Sequence, residues 1–153
     1  MLFLLKNLFI ESKLKLIKTK IIMIKIGLIA HDGKKAEMVS FVIKNKKFLK
    51  NFKIYATGTT GSHIAREGFE VTSVLSGPKG GDAQIAALVA THNIDVVVFF
   101  RDPLDKHPHE PDVQMLMRIC DVHNVPLATN PKSAYYILRG IKDHLEETHE
   151  EDI

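Results

Sequence analysis

Ile94-Asp95-Val96-Val97-Val98-Phe99-Phe100-Arg101-Asp102-Pro103 sets an apolar run of β-branched and aromatic residues directly against a charged loop. Three earlier stretches repeat the arrangement. Residues 26–30 run into His31-Asp32-Gly33-Lys34-Lys35, residues 53–56 into Thr57-Gly58-Thr59-Thr60-Gly61, and residues 71–75 into Ser76-Gly77-Pro78-Lys79-Gly80-Gly81-Asp82. Runs that are apolar along their whole length suit strands covered on both faces, and their alternation with helical segments predicts a parallel sheet. In such a sheet the loops leaving the carboxyl ends of the strands meet in one crevice, where ligands bind. Residues far apart in the chain then share one site.

The intervening segments read as helices. Residues 36–49 place Met38, Val39, Val42 and Ile43 at amphipathic spacing among lysines. Residues 62–67 form a short helix stopped at Gly68, 82–92 a third helix and 112–123 a fourth. A fifth strand follows at 125–128. Asn130-Pro131 then caps a last helix, with Gly140 beyond its end. Five β-α repeats predict a three-layer α/β/α sandwich around a five-stranded, mostly parallel sheet.

A chain of 153 residues fits one domain, and 45% hydrophobic with 25% charged residues is ordinary for a globular protein. Its single cysteine, Cys120, excludes an internal disulfide and sits among Met115, Leu116, Met117 and Ile119, where core packing is the expected role. The formal charge of +3 is misleading. Residues 1–22 carry Lys6, Lys13, Lys15, Lys18 and Lys20 against Glu11, so the remainder is slightly acidic and offers no footprint for nucleic acid. Those 22 residues are too interrupted by lysine to span a membrane and lack the order and cleavage site of a secretory signal. Of the two readings left, a helix on a membrane surface or an extension preceding a functional start at Met23, the second is favoured. The division expected is an extension at 1–22, a functional domain at 23–142 and an acidic, frayed tail at 143–153, with no membrane partner and a cytoplasmic location.

The loops hold the chemistry. Thr57-Gly58-Thr59-Thr60-Gly61 offers hydroxyls and flexible amides at a helix start, where free N–H groups and the helix dipole favour a phosphate. Ser76-Gly77 and Gly80-Gly81 add a second anion-friendly loop, and Lys35 a mobile charge. Each feature has an ordinary alternative: a threonine cap for Thr57, N-caps for Asp82 and Asp112, exposed turns for His31, Asp32 and His109. Those alternatives do not explain why every acid, histidine and glycine cluster falls at one edge of the sheet. A metal site from His107, His109 and Asp112 is disfavoured, since their spacing matches no common ligand pattern.

The segments Ile29-Ala30-His31-Asp32, Tyr55-Ala56-Thr57-Gly58-Thr59-Thr60-Gly61, Leu75-Ser76-Gly77-Pro78-Lys79-Gly80-Gly81-Asp82, Asp102-Pro103-Leu104 and Pro108-His109-Glu110-Pro111-Asp112-Val113 resemble the methylglyoxal synthase family, in order and with its spacing. The match runs from about residue 23 to 139 and includes Asn124-Val125-Pro126-Leu127-Ala128-Thr129-Asn130. The resemblance implies a metal-free, cofactor-free lyase that converts dihydroxyacetone phosphate to methylglyoxal and inorganic phosphate, forms homohexamers and bypasses part of glycolysis. It further implies Asp82 as catalytic base, with His109, Asp112, Asp32 and Asp102 supporting catalysis. His31, Lys35, Thr57, Gly58, Thr59, Thr60, Ser76, Gly77 and His109 would bind substrate, and phosphate would act as an allosteric inhibitor. One departure stands out. The family places an arginine near its C-terminus, whereas the last arginine here is Arg139, with Lys142 the other candidate to replace it. A non-catalytic sensor of the same fold, binding a phosphorylated metabolite or nucleotide, is the alternative, but it has no use for a base at Asp82.

Overall fold

Five parallel strands, β1 (Lys25–Ala30), β2 (Lys53–Thr57), β3 (Val71–Val74), β4 (Val96–Phe100) and β5 (Leu127–Ala128), form one sheet in the order β3-β2-β1-β4-β5. In this computed structural model the backbone is described for residues 1–21 and 23–151, and side chains for 1–14 and 23–148. The strands are apolar throughout because both faces are covered. Ile26, Leu28 and Ala30 of β1 and Val96, Val98 and Phe100 of β4 face one core, together with Met38, Phe41 and Val42. Ile29, Val97 and Phe99 face the other, against Ile85, Val89, Val113, Leu116 and Cys120. Helices α2 (Lys35–Lys44), α4 (Gly58–Arg66) and α7 (Pro131–Glu151) supply the first layer, and α5 (Gly81–Ala90) and α6 (Glu110–Val122) the second. The expected three-layer sandwich is therefore present. Cys120 packs in the core as expected, and burial pushes its thiol up to about 11.

The strand order reverses direction between β1 and β4. Loops leaving these neighbours diverge toward opposite layers, so a crevice opens at the carboxyl edge between them.

Several boundaries differ from the sequence reading, each for a local reason. The segment 36–49 breaks at Asn45, whose side-chain amide donates to the Phe41 carbonyl at 2.8 Å, leaving α3 (Lys46–Leu49) as a separate turn. Helix α4 starts four residues early, at Gly58 rather than Ser62. Asp82 and Asp112 are not N-caps but the second residue of α5 and the third of α6. Asn130 does cap α7, its side-chain oxygen accepting the Ser133 amide at 3.0 Å. Gly140 does not end that helix. The segment expected to fray continues α7 to Glu151, while Asp152 and Ile153 lie outside the described residues.

Residues 1–22 contribute α1 (Leu2–Ile21), in which every described side chain is exposed, Phe3 by 76% and Phe9 by 67%. The chain's accessible surface of 9769 Å² exceeds the roughly 7,800 Å² usual for a compact monomer of this size, and an unpacked helix accounts for the direction of that excess. Among the described residues no helix is long and apolar enough to cross a membrane.

Candidate active site

Four loops at the carboxyl edge enclose a cavity of about 390 Å³. It is lined by His31, Asp32 and Lys35 after β1, Thr57, Gly58, Thr59 and Thr60 after β2, Ser76, Gly77 and Asp82 after β3, and His107 and His109 after β4. All but two of the residues expected from sequence line it. The exceptions are Asp102 and Asp112, which stand behind the wall. Arg139 and Lys142 line a different, basic cleft with Lys44, Lys47 and Lys50.

At the second loop, Thr57 occupies the N-cap position of α4 but makes no side-chain capping bond. The cap reading of this threonine therefore fails, and the first amides of α4 are left for a ligand. Gly58 is needed here for two reasons. Its φ is +30°, and a β-carbon on it would lie 2.9 Å from Cα of Ser76. Its lack of a side chain lets the second and third loops close against each other.

Asp82 is wholly buried, and neither of its carboxylate oxygens has a hydrogen-bond partner among the described residues. Nε2 of His109 stands 3.5 Å from Oδ2. Burial raises the Asp82 pKa above the ordinary carboxylate value. The neighbouring His109 pulls it back, and the charge of Asp112 pushes it up again. Gly77 makes room for this pair, since a β-carbon there would lie 2.9 Å from Nε2 of His109 and 3.3 Å from Oδ1 of Asp82.

His31 is 5% exposed, and its Nδ1 accepts the backbone amide of Asp102 at 2.9 Å. The neutral ring must then carry its proton on Nε2, an atom that is buried and has no partner among the described residues. Burial, with His107, His109 and Arg101 nearby, lowers its pKa to about 4, so the ring is a neutral donor at pH 7. Lys35 pairs with Asp32, and that hydrogen bond holds the Asp32 carboxyl below its usual range. Asp102 thus reaches the site through its amide, and Asp112 through its charge.

His107 is the lining residue whose placement the sequence did not give: it appeared there only in the disfavoured metal set. Among the described residues no group of three or more His, Cys, Asp or Glu is disposed to hold a metal ion. The cavity therefore combines a buried carboxylate, three imidazoles, and an uncapped helix start with hydroxyls and an ammonium. That set suits proton abstraction from a small phosphorylated molecule.

Residues 37–129 match the family model described as MGS-like domain. The methylglyoxal synthase of Lysinibacillus sphaericus is 52% identical over 120 residues, covering 78% of this chain and 90% of the relative. That of Borrelia garinii subsp. bavariensis is 54% identical over 119 residues, covering 77% and 94%, and that of Carboxydothermus hydrogenoformans 52% identical, covering 78% and 99%. The crystal structure of methylglyoxal synthase from Elizabethkingia anophelis NUHP1 superposes with a TM-score of 0.71 at 43% identity, over 76% of this chain and 77% of that one.

Proposed function

This chain belongs to the methylglyoxal synthase family, and we propose that it converts dihydroxyacetone phosphate to methylglyoxal and inorganic phosphate. The observation that carries the reading is Asp82, a wholly buried carboxylate with both oxygens unpartnered among the described residues, lining the same cavity as the uncapped start of α4.

Asp82 takes a proton from the hydroxymethyl carbon of the substrate. A carboxylate with a raised pKa is a stronger base than an exposed one, and the buried acid holds the transferred proton until the departing phosphate takes it, which restores the carboxylate. Negative charge moves to the carbonyl oxygen, giving an enediolate, which Nε2–H of His31 and the imidazole of His109 are suited to stabilise. Removing one such donor typically costs about 3–4 kcal/mol in the transition state. The hydroxyl proton on the former hydroxymethyl carbon passes to the enediolate oxygen, that carbon becomes the aldehyde, and the C–O bond to phosphate breaks on the other side of the former carbonyl. The resulting enol gains a proton at its methylene carbon, loses one from its hydroxyl and becomes methylglyoxal. The amides of Gly58, Thr59 and Thr60, the hydroxyls of Thr57 and Ser76, the Gly77 backbone and Lys35 hold the phosphate before and after that bond breaks. Asp32 orients Lys35, Asp102 fixes His31 through its amide, and Asp112 helps raise the pKa of Asp82.

Residues 23–142 carry this activity, with 1–22 an extension and 143–153 a terminal segment outside the catalytic unit. The enzyme works as a homohexamer in the cytoplasm, as a glycolytic bypass, with phosphate as an allosteric inhibitor. A coupled assay tests the reaction: methylglyoxal and orthophosphate are expected in equal amounts from dihydroxyacetone phosphate. Tight binding of the substrate with no phosphate released would instead favour a sensor.

A further inference from the structure

His107 sits on the loop between β4 and α6, and its carbonyl accepts the Glu110 amide at 3.2 Å, which ties the loop to the first turn of α6. Its ring stacks on that of His31, with centroids 3.7 Å apart and planes inclined by 27°. The rest of His31 is held as well. Phe99 meets it edge-on at 5.0 Å, His109 edge-on at 5.8 Å, and the Asp102 amide bonds its Nδ1. One loop thus supplies both the amide that selects the tautomer and the ring that sets the plane.

We propose that His107 is a positioning residue, whose ring keeps the His31 imidazole in the one orientation where Asp102 can hold it in the Nε2–H form. Without the stack, the His31 ring would rotate about its side-chain torsions, break the bond from the Asp102 amide and exchange tautomers. The donor meant for the developing enediolate would then be present only part of the time. The consequence for turnover rests on the catalytic reading above; the geometry of the stack does not.

The charges around His31 point the same way. His107 packs on its face, His109 and Arg101 come from the same loop, Glu110 opposes them from α6, and Asp32 follows it in the chain. Burial is the largest cause of its lowered pKa and His107 the next. A phenylalanine at position 107 would keep a flat ring there but remove a group able to carry positive charge.

Nitrogen-15 histidine spectra and steady-state kinetics of the full chain test the idea together. At pH 7, His31 is expected to give one acceptor-type and one N–H nitrogen signal. His107→Phe should keep that pattern and a kcat within threefold of the parent. His107→Ala should average the two signals and lower kcat at least tenfold with KM changed less than threefold. In both variants the His31 titration midpoint should rise from about 4. Should the alanine variant not fold, His107→Leu removes the stack while keeping volume, and the same averaging is expected. An unchanged His31 pattern in the unstacked variants, or a kcat loss in His107→Phe equal to that in His107→Ala, would overturn the proposal. A parent protein that makes no methylglyoxal yet whose His31 signals depend on the stack would sink the reaction while leaving the positioning role intact.

Discussion

Asp82 has no exposed atom, and among the described residues neither oxygen has a hydrogen-bond donor, so its charge is costly unless a ligand brings a proton to share. Asp82→Asn should therefore fold at least as well as the parent and bind a substrate analogue normally. It should lose about 10²–10⁴-fold in kcat, the usual contribution of a general base. Turnover close to the parent's would remove Asp82 from the mechanism. Gly77→Ala makes a second point about the same pair. Its new methyl would press on His109 and Asp82, and a displacement of about 1 Å can cost on the order of 10²-fold in rate. Kinetics of the alanine variant should show the loss in kcat with the thermal midpoint little changed. Most of these residues were legible in the sequence because polar loops at strand ends converge by topology alone. His107 was not, since a histidine among prolines has no spacing that marks it, and its importance comes from a ring 76 positions away in the chain.

Helix ends were the least legible elements. α4 begins inside Thr57-Gly58-Thr59-Thr60-Gly61, where glycine and threonine are poor helix formers, because Gly58 is pressed against Ser76 by tertiary packing. The same packing leaves α4 without a capping side chain and gives it an open anion site instead. α7 runs through Gly140, where nothing lies within 4 Å of the position a β-carbon would take, so the cost there is propensity alone, about 1 kcal/mol. Its start was readable, because Asn130 followed by proline is a strong signal. Asn130→Ala should lower stability by about 1 kcal/mol and the thermal midpoint by roughly 2–4 °C, with kcat unaffected. α1 lies at the other extreme, with its described side chains all exposed. Removing residues 1–22 should leave kcat and the thermal midpoint of the remaining chain within error, and a loss of either would make the extension part of the working protein.

For the molecule as a whole, the buried site sets how stability depends on pH. His31 titrates near 4 when folded and near 6.5 when unfolded, so the unfolded chain binds the proton first as pH falls. The fold should lose about 2 kcal/mol between pH 7.5 and 5 from this group, or roughly 4–8 °C in thermal midpoint. Asp82 acts in the opposite sense, because its raised pKa lets the folded chain take up a proton before the unfolded one does. Thermal melts across that range should flatten in His31→Gln, whereas an equal slope in that variant would assign the acid sensitivity elsewhere. The sheet's order adds a practical corollary. β1 is entered from its amino end at Lys25, while the mouth lies past its other end, at His31, roughly 20 Å along the strand direction. Anchored to a bead or an electrode through its leading segment, the protein would hold its reactive opening at the end of the sheet away from the tether.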